Sequence, residues 1–434
     1  MTAPESGTFV ATCDLAGHVR GRSVPRSAHD AVLRSGVGWV PANLALTAFG
    51  HLAPGNAFGS AGDLRLMPDA ATGVDVPTEG ISPGMRLYLA NQTQPDGQPW
   101  ECCPRTLLRQ ALTDFRDSTG LDVVASFEHE FVLHGLPASG PFSLRRHRDA
   151  EPFGDDLLHL LSGCGLEPET WLPEYGEQQF EITLAPTGVL AAADRAVLLR
   201  ELVRDLALRR GLRASFAPLQ RPDGTGSGVH VHLSFVDAQG EPVLLDPARP
   251  GRLSEVGSRF AAGVLRHSDA VLAWTAPSPV SYLRLRPDRW SVGGAFLAER
   301  NREALLRICP TSSVGGSDPA RQLNLEYRAA DACANPWLAL AAMLRAGRAS
   351  FTCSSGYLEP VVWPEEMRAA ELAKVPRLPE TLEQALQALE TDTAAGTWFP
   401  DRLVMTYLAV KRDELRSLEG LDDGERVRRV ADVY

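Results

Sequence analysis

Lysine is nearly absent from this chain of 434 residues: Lys374 and Lys411 are the only two. A phosphate-binding loop of the P-loop type needs a lysine directly after its glycines. Neither lysine lies near the glycine-rich stretches Gly224–Gly228 or Gly315-Gly316, so any phosphate chemistry falls to arginine and metal. The seven cysteines are odd in number and lack C-x-x-C spacing, which argues against a disulfide framework and a zinc ribbon and fits reduced thiols in a cytoplasm. No basic stretch followed by an apolar one opens the sequence, and no apolar run reaches membrane-spanning length, so neither a signal peptide nor a membrane partner is expected. The net charge of −11 comes without a basic domain, which argues against a nucleic-acid partner. There is no internal repeat and no low-complexity tract.

The rest of the composition is that of a globular protein, and the length predicts two domains. Residues 1–99 read as short strands and turns. Phe9–Leu15 and His18–Pro25 form a hairpin about Ala16-Gly17, Gly59–Asp69 adds a strand, and Gln94–Pro99 is a turn-rich boundary. Across residues 100–434 helices and strands mix. Helices are predicted from Pro104 to about Ser118 and over Ala191–Arg210, Arg252–Ala273, Trp337–Ala349, Leu382–Leu389 and Arg402–Leu418. Strands are predicted over Leu121–His134, Leu212–Phe216, Gly228–Val236 and Gln322–Arg328. The strands do not alternate one-for-one with helices, so the fold class is α+β rather than a doubly wound parallel sheet.

The most informative run is Gly224–Phe235, a glycine-rich turn leading into a strand with strict alternation. Val229, Val231, Leu233 and Phe235 share one face; His230, His232 and Ser234 share the other. Three further strands divide their faces in the same way. Glu128 and Glu130 lie opposite Phe127, His129, Phe131 and Leu133. Gln179, Glu181 and Thr183 lie opposite Phe180, Ile182 and Leu184. Asn324, Glu326 and Arg328 lie opposite Leu323, Leu325 and Tyr327. Taken singly, each charged face fits a solvated strand edge. Together, with Glu174 beside them, they assemble five carboxylates and imidazole nitrogen, a hard donor set that suits Mg²⁺ or Mn²⁺. Six such ligands are too many for one hydrated ion, so two or more metals per site are inferred. Paired divalent ions on an oxygen-rich wall suit phosphoryl transfer. Arg284, Arg302, Arg307 and Arg328 are able to grip a carboxylate or phosphate, although a surface ion pair is the better explanation of any one of them taken alone.

These residues fall in five ordered motifs: Glu128-His129-Glu130-Phe131; Glu174 followed by Gln179-Phe180-Glu181-Ile182; Gly226–His232; Arg300-Asn301-Arg302 with Arg307; and Glu326-Tyr327-Arg328 with Asp331 and Asn335-Pro336. In that order and spacing they resemble the glutamine synthetase family, in its bacterial type I branch, including relatives that make γ-glutamyl amides. The resemblance runs from about residue 100 to the last residue. It implies a small N-terminal β-grasp-like domain over 1–99 and a catalytic domain over 100–434, with a curved antiparallel sheet flanked by helices. It implies that ATP phosphorylates the γ-carboxylate of glutamate and an amine then displaces phosphate. Glu130, Glu174 and Glu181 would hold the metal nearer the substrate carboxylate; Glu128, His230 and Glu326 would hold the metal on the nucleotide. Gly226, Arg284 and Arg328 would bind glutamate, Arg284 and Arg302 would serve catalysis, and His232, Ser234, Arg302 and Arg307 would meet ATP. Homo-oligomeric rings, dodecamers with sites between subunits, are implied as well.

The sequence departs from the family pattern at the acceptor side. Where the family's flap presents a glutamate that deprotonates ammonium, this chain has Trp290. The acidic aspartate-glycine-serine-serine motif of the small domain is missing, and the nearest region reads Ala48-Phe49-Gly50-His51-Leu52. Thr225 stands for the usual asparagine and Asn324 for an arginine. An indole cannot act as a base, but it packs hydrocarbon and attracts a cation over its face. The expected acceptor is therefore an organic amine. Ordinary ammonia-using glutamine synthetase, a catalytically silent relative and a guanidino kinase of related fold are the other readings.

Overall fold

The computed structural model describes residues 7–77, 84–286, 291–353 and 357–434. The N-terminal hairpin forms as its alternation requires, with Gly7–Cys13 antiparallel to Val19–Val24. Its turn places Gly17 at φ 80°, where an added Cβ would stand 2.6 Å from the Cys333 carbonyl oxygen, so a side chain does not fit. The sheet is completed by a strand that the turn pattern did not reveal. Met85–Thr93 runs parallel to Gly7–Cys13 and antiparallel to Leu64–Pro68, and Val37–Trp39 closes the far edge. Val74–Val76 pairs with the same central strand.

Among the described residues the second sheet has ten strands. Its order is Val362–Trp363, Gly294–Glu299, Ala304–Ile308, Leu325–Tyr327, Val229–Val236, Asp122–His134, Gln179–Leu184 and Pro168–Pro173. The short strands Thr187–Gly188 and Arg213–Ser215 also pair with Asp122–His134. Pairing is antiparallel from Ala304–Ile308 to Pro168–Pro173, as expected, but Gly294–Glu299 is parallel to both its neighbours. Gly294–Glu299 is buried along nearly its whole length, so no polar–apolar alternation marks it in the sequence.

Two predicted elements differ in extent. The helix expected over Arg252–Ala273 is two helices, Glu255–Arg266 and Ser268–Thr275. Ser254 caps the first by accepting from the Gly257 N–H at 3.3 Å, and His267 breaks the run while its ring is held between Asp392 and the Tyr357 hydroxyl. The strand expected over Gln322–Arg328 is confined to Leu325–Tyr327, because Asp318-Pro319 starts a helical turn over Pro319–Gln322.

One face of the large sheet is core. Phe131, Leu133, Phe180, Ile182, Val231, Leu233, Phe235, Leu325 and Tyr327 are all buried there. Burying a Phe, Leu, Ile or Val side chain contributes about 1.5–3 kcal/mol. The helix Val189–Arg209 lies on the Asp122–His134 strand, and Pro336–Thr352 packs on Pro104–Thr119 and Glu255–Arg266. His129 points into this core and burial pushes its imidazole down to about 3, so it is neutral and plays the part of an apolar residue. With one face committed to the core, strand alternation turns Glu128, Glu130, Glu181, His230, His232 and Glu326 onto the other face. Among the described residues no helix is long and apolar enough to cross a membrane.

Candidate active site

The polar face of the large sheet opens into a cavity of about 730 Å³. Cross-strand register brings its side chains together. Glu128 stands opposite His230, Glu130 opposite Glu181, and Glu326 opposite both His232 and Arg307. Facing residues on adjacent strands have Cβ atoms about 4.5–5.5 Å apart, close enough for the side chains to share a ligand.

Glu128 is the centre of the arrangement. Its Oε1 lies 2.7 Å from His230 Nδ1 and its Oε2 lies 3.3 Å from His232 Nε2. Burial opposes its ionisation, but the two imidazoles outweigh that and hold its carboxyl well below the usual range. Glu326 is buried behind it, with Arg307 Nη1 donating to one oxygen at 2.7 Å and Arg328 Nη1 to the other. Burial works against that charge too, yet Arg328, His230, His232 and Arg307 bring its carboxyl down to about 2. Glu181 is the opposite case. Burial, then the charges of Glu128 and Glu130, push its carboxyl up to about 10. Burial also raises Glu174. A wall that cannot ionise all its carboxylates unaided is a wall suited to a cation.

Among the described residues, two ligand groups meet the distance requirement for a metal: Glu128, His230 and Glu326, and Glu128, Glu130 and Glu181. Within each, one donor atom per residue lies within 4.8 Å of the others. Glu128 belongs to both. Glu174 lines the same cavity but joins neither group; its carboxylate accepts from the Tyr175 N–H at 3.0 Å. The donor chemistry fits the divalent ions expected from the sequence, with the oxygen-rich group suited to a hard ion.

Gly226, Arg284, Arg302, Arg307 and Arg328 also line the cavity. Arg284 is buried, and its guanidinium donates to the carbonyls of Ala329 and Ala330 at 2.5 and 3.0 Å. A Cβ on Gly226 would stand 2.5 Å from Arg284 Cγ, so the glycine makes room for that arginine rather than for a phosphate. Arg302 is exposed on the wall, and its carbonyl accepts from Arg328 Nε at 2.8 Å. His232 and Ser234 are not among the residues lining the cavity. His232 lies behind Glu128, with Nδ1 2.9 Å from Asn324 Oδ1 and 3.8 Å from Cys309 Sγ, and Ser234 sits further along the same strand face. Trp290 lies outside the described residues. Ser291, next to it, lines the cavity and donates to the Arg284 carbonyl at 2.9 Å. The Ala48–Leu52 region packs on the helix Asp401–Ser417: the Ala48 N–H donates to Glu414 at 2.8 Å, and His51 pairs with Asp413 at 2.6 Å.

Three contributors have no role assigned from sequence, although Gln179 falls in one of the five motifs. Gln179 Nε2 donates to the Gly226 carbonyl at 2.8 Å and approaches Ser227 Oγ and Glu130 Oε2 at 3.1 and 3.3 Å, tying the glycine turn to a metal-group carboxylate. Its place on the polar face beside Glu181 is the signal that was available. Cys309 lies 3.7 Å from Glu326 Oε2. Arg146 is buried beneath the cavity wall and donates to the carbonyls of Glu174 and Gly176 at 2.5 and 2.6 Å. No sequence pattern marks it.

The two-sheet α+β fold therefore carries, on one sheet face, one carboxylate–histidine group and one all-carboxylate group, each suited to a divalent ion. The catalytic domain of glutamine synthetase matches residues 101–423 and the glutamine synthetase N-terminal domain matches residues 6–100. The chain is 35% identical to a gamma-glutamylpolyamine synthetase, GlnA3, of Streptomyces coelicolor, covering 96% of this chain and 91% of that one. It is 26% identical to a glutamate–isopropylamine ligase of a Pseudomonas species over 86% of this chain and 82% of the other. A crystal structure described as a novel glutamine synthase homolog superposes with a TM-score of 0.92 at 45% identity over the full length of both chains. The chain belongs to the glutamine synthetase family, and it is a ligase of that type.

Proposed function

We propose that this enzyme uses ATP to phosphorylate the γ-carboxylate of glutamate and transfers the γ-glutamyl group to an organic amine in preference to ammonia. The observation that carries this reading is the pairing of two metal-ligand groups with an acceptor side that lacks the family's flap glutamate and its small-domain acidic motif. Glu128, Glu130, Glu181, His230 and Glu326 form both ligand groups, whereas Trp290 stands where the family places its ammonium-deprotonating glutamate. The names of two relatives, a gamma-glutamylpolyamine synthetase and a glutamate–isopropylamine ligase, support an organic acceptor.

In this reading Arg284 and Arg328 hold the amino acid beside Gly226, and Glu130, Glu174 and Glu181 with Glu128, His230 and Glu326 hold two Mg²⁺ or Mn²⁺ ions. Those ions supply charge neutralisation for the transferring phosphoryl group. Arg302 and Arg307 stabilise the charge that develops on its oxygens, and His232 orients Glu128 from behind. Assembly as a ring, with residues 1–99 serving a neighbouring subunit's site, is part of the same proposal. Hydroxylamine tests the first half-reaction, because it traps an activated glutamate whatever the acceptor preference. Purified protein with ATP, Mg²⁺, glutamate and hydroxylamine should yield γ-glutamyl hydroxamate; its absence across Mg²⁺ and Mn²⁺ would remove the proposal.

A further inference from the structure

Two half-exposed aromatic rings stand on the cavity wall beside the carboxylates. Phe142 is 49% exposed and Tyr175 is 53% exposed, and both line the same cavity as Glu130 and Glu174. Their ring centroids are 4.8 Å apart with the planes at 82°, an edge-to-face pair. The rings come from separate segments. Phe142 precedes the helix Leu144–Asp149, and Tyr175 lies in the turn between Pro168–Pro173 and Gln179–Leu184.

The pair is held from below. Phe142 sits at φ 49°, a backbone region that side chains with a Cβ rarely enter. Ser143 fixes it by donating to the Gly140 carbonyl at 2.7 Å and accepting from the Arg146 N–H at 3.1 Å. The guanidinium of Arg146 then donates to the Ser139 carbonyl at 3.1 Å and to the carbonyls on both sides of Tyr175. One buried cation therefore ties together the two loops that present the rings.

We propose that Phe142 and Tyr175 form the acceptor-specificity wall, against which the carbon body of a primary alkyl or aryl amine packs. This rests on the reading of an organic-amine acceptor. Ring faces receive hydrocarbon and attract a neighbouring ammonium. Asp223, on the same cavity wall, adds negative charge on the side from which a protonated amine would enter.

The test compares n-butylamine with hydroxylamine, an acceptor with no carbon body. In Phe142→Ala and Tyr175→Ala the kcat/KM ratio of butylamine to hydroxylamine should fall about tenfold or more, the scale of a lost apolar contact in a specificity pocket. Phe142→Tyr and Tyr175→Phe should restore most of the ratio. Should an alanine variant not fold, Phe142→Leu and Tyr175→Leu carry the same comparison. An unchanged ratio in variants that still form hydroxamate overturns the wall while leaving γ-glutamyl transfer standing. Absence of hydroxamate in the unaltered enzyme would instead overturn the reading on which the wall rests.

Discussion

His230 and Glu128 face one another across two antiparallel strands, with Nδ1 and Oε1 2.7 Å apart. The register that makes this pair also makes Glu128 common to both metal-ligand groups. Replacing Glu128 should therefore disturb both metals, whereas replacing Glu130 should disturb one. Equilibrium dialysis with Mn²⁺ is expected to show weakened binding at both sites in Glu128→Gln and at one site in Glu130→Gln.

Glu181 predicts a pH dependence of stability that metal removes. Its folded-state value of about 10 lies above the unfolded value of about 4.3, so the folded state binds more protons between those limits and stability falls as pH rises through them. Glu326, brought down to about 2, has the opposite sign: it stabilises above about 4.3, and that contribution is lost as pH falls towards about 2. Thermal melts in EDTA should show stability declining from pH 5 to 9, less steeply in Glu181→Gln. Saturating Mg²⁺ or Mn²⁺ should flatten the decline and release protons on binding, detectable by calorimetry in buffers of different ionisation enthalpy.

Arg307 and Arg328 both lose their carboxylate in Glu326→Ala. Breaking a buried ion pair from one side typically costs about 3–5 kcal/mol. Urea unfolding should show a loss of that order in Glu326→Ala, and exposed pairs such as Arg321–Glu241, with both side chains at least 60% exposed, should contribute less than about 1 kcal/mol when broken.

Gly226→Ala places a Cβ against Arg284 Cγ and forces the guanidinium out of its position. Misplacing a substrate-positioning group by about 1 Å can cost about a hundredfold. Steady-state kinetics should show the loss mainly as a raised KM for glutamate, with the KM for ATP much less changed. Gln179→Leu acts on the same turn through the lost Gly226 and Ser227 contacts, and an unmade buried hydrogen bond there should destabilise the fold by about 1–3 kcal/mol.

The carboxylate–histidine wall is legible in the sequence because each of its strands is half-buried. Apolar and charged residues alternate, and the side-chain period of a strand does the sorting, as at Phe127-Glu128-His129-Glu130 and His230-Val231-His232. The same rule is silent on Gly294–Glu299, where nearly every residue is buried, so no alternation marks the parallel edge of the sheet. Arg146 is invisible for another reason. Its partners are backbone carbonyls on loops up to 30 residues away, and backbone acceptors leave no mark in composition or spacing. Gln179 lay on the right face, but nothing local says that its amide reaches the glycine turn across the sheet. His267 interrupts a helix through contacts with Asp392 and Tyr357, which are distant in sequence and close only in the fold.

The preference for an organic amine over ammonia is measured by one competition. Phosphate release with ATP, Mg²⁺ and glutamate is followed across n-butylamine, benzylamine, a diamine and ammonium, with the amide products identified by mass. At least one organic amine should exceed ammonium clearly in kcat/KM, and Trp290→Glu should narrow the gap. Ammonium emerging as the best acceptor, with glutamine as the product, would contradict that preference.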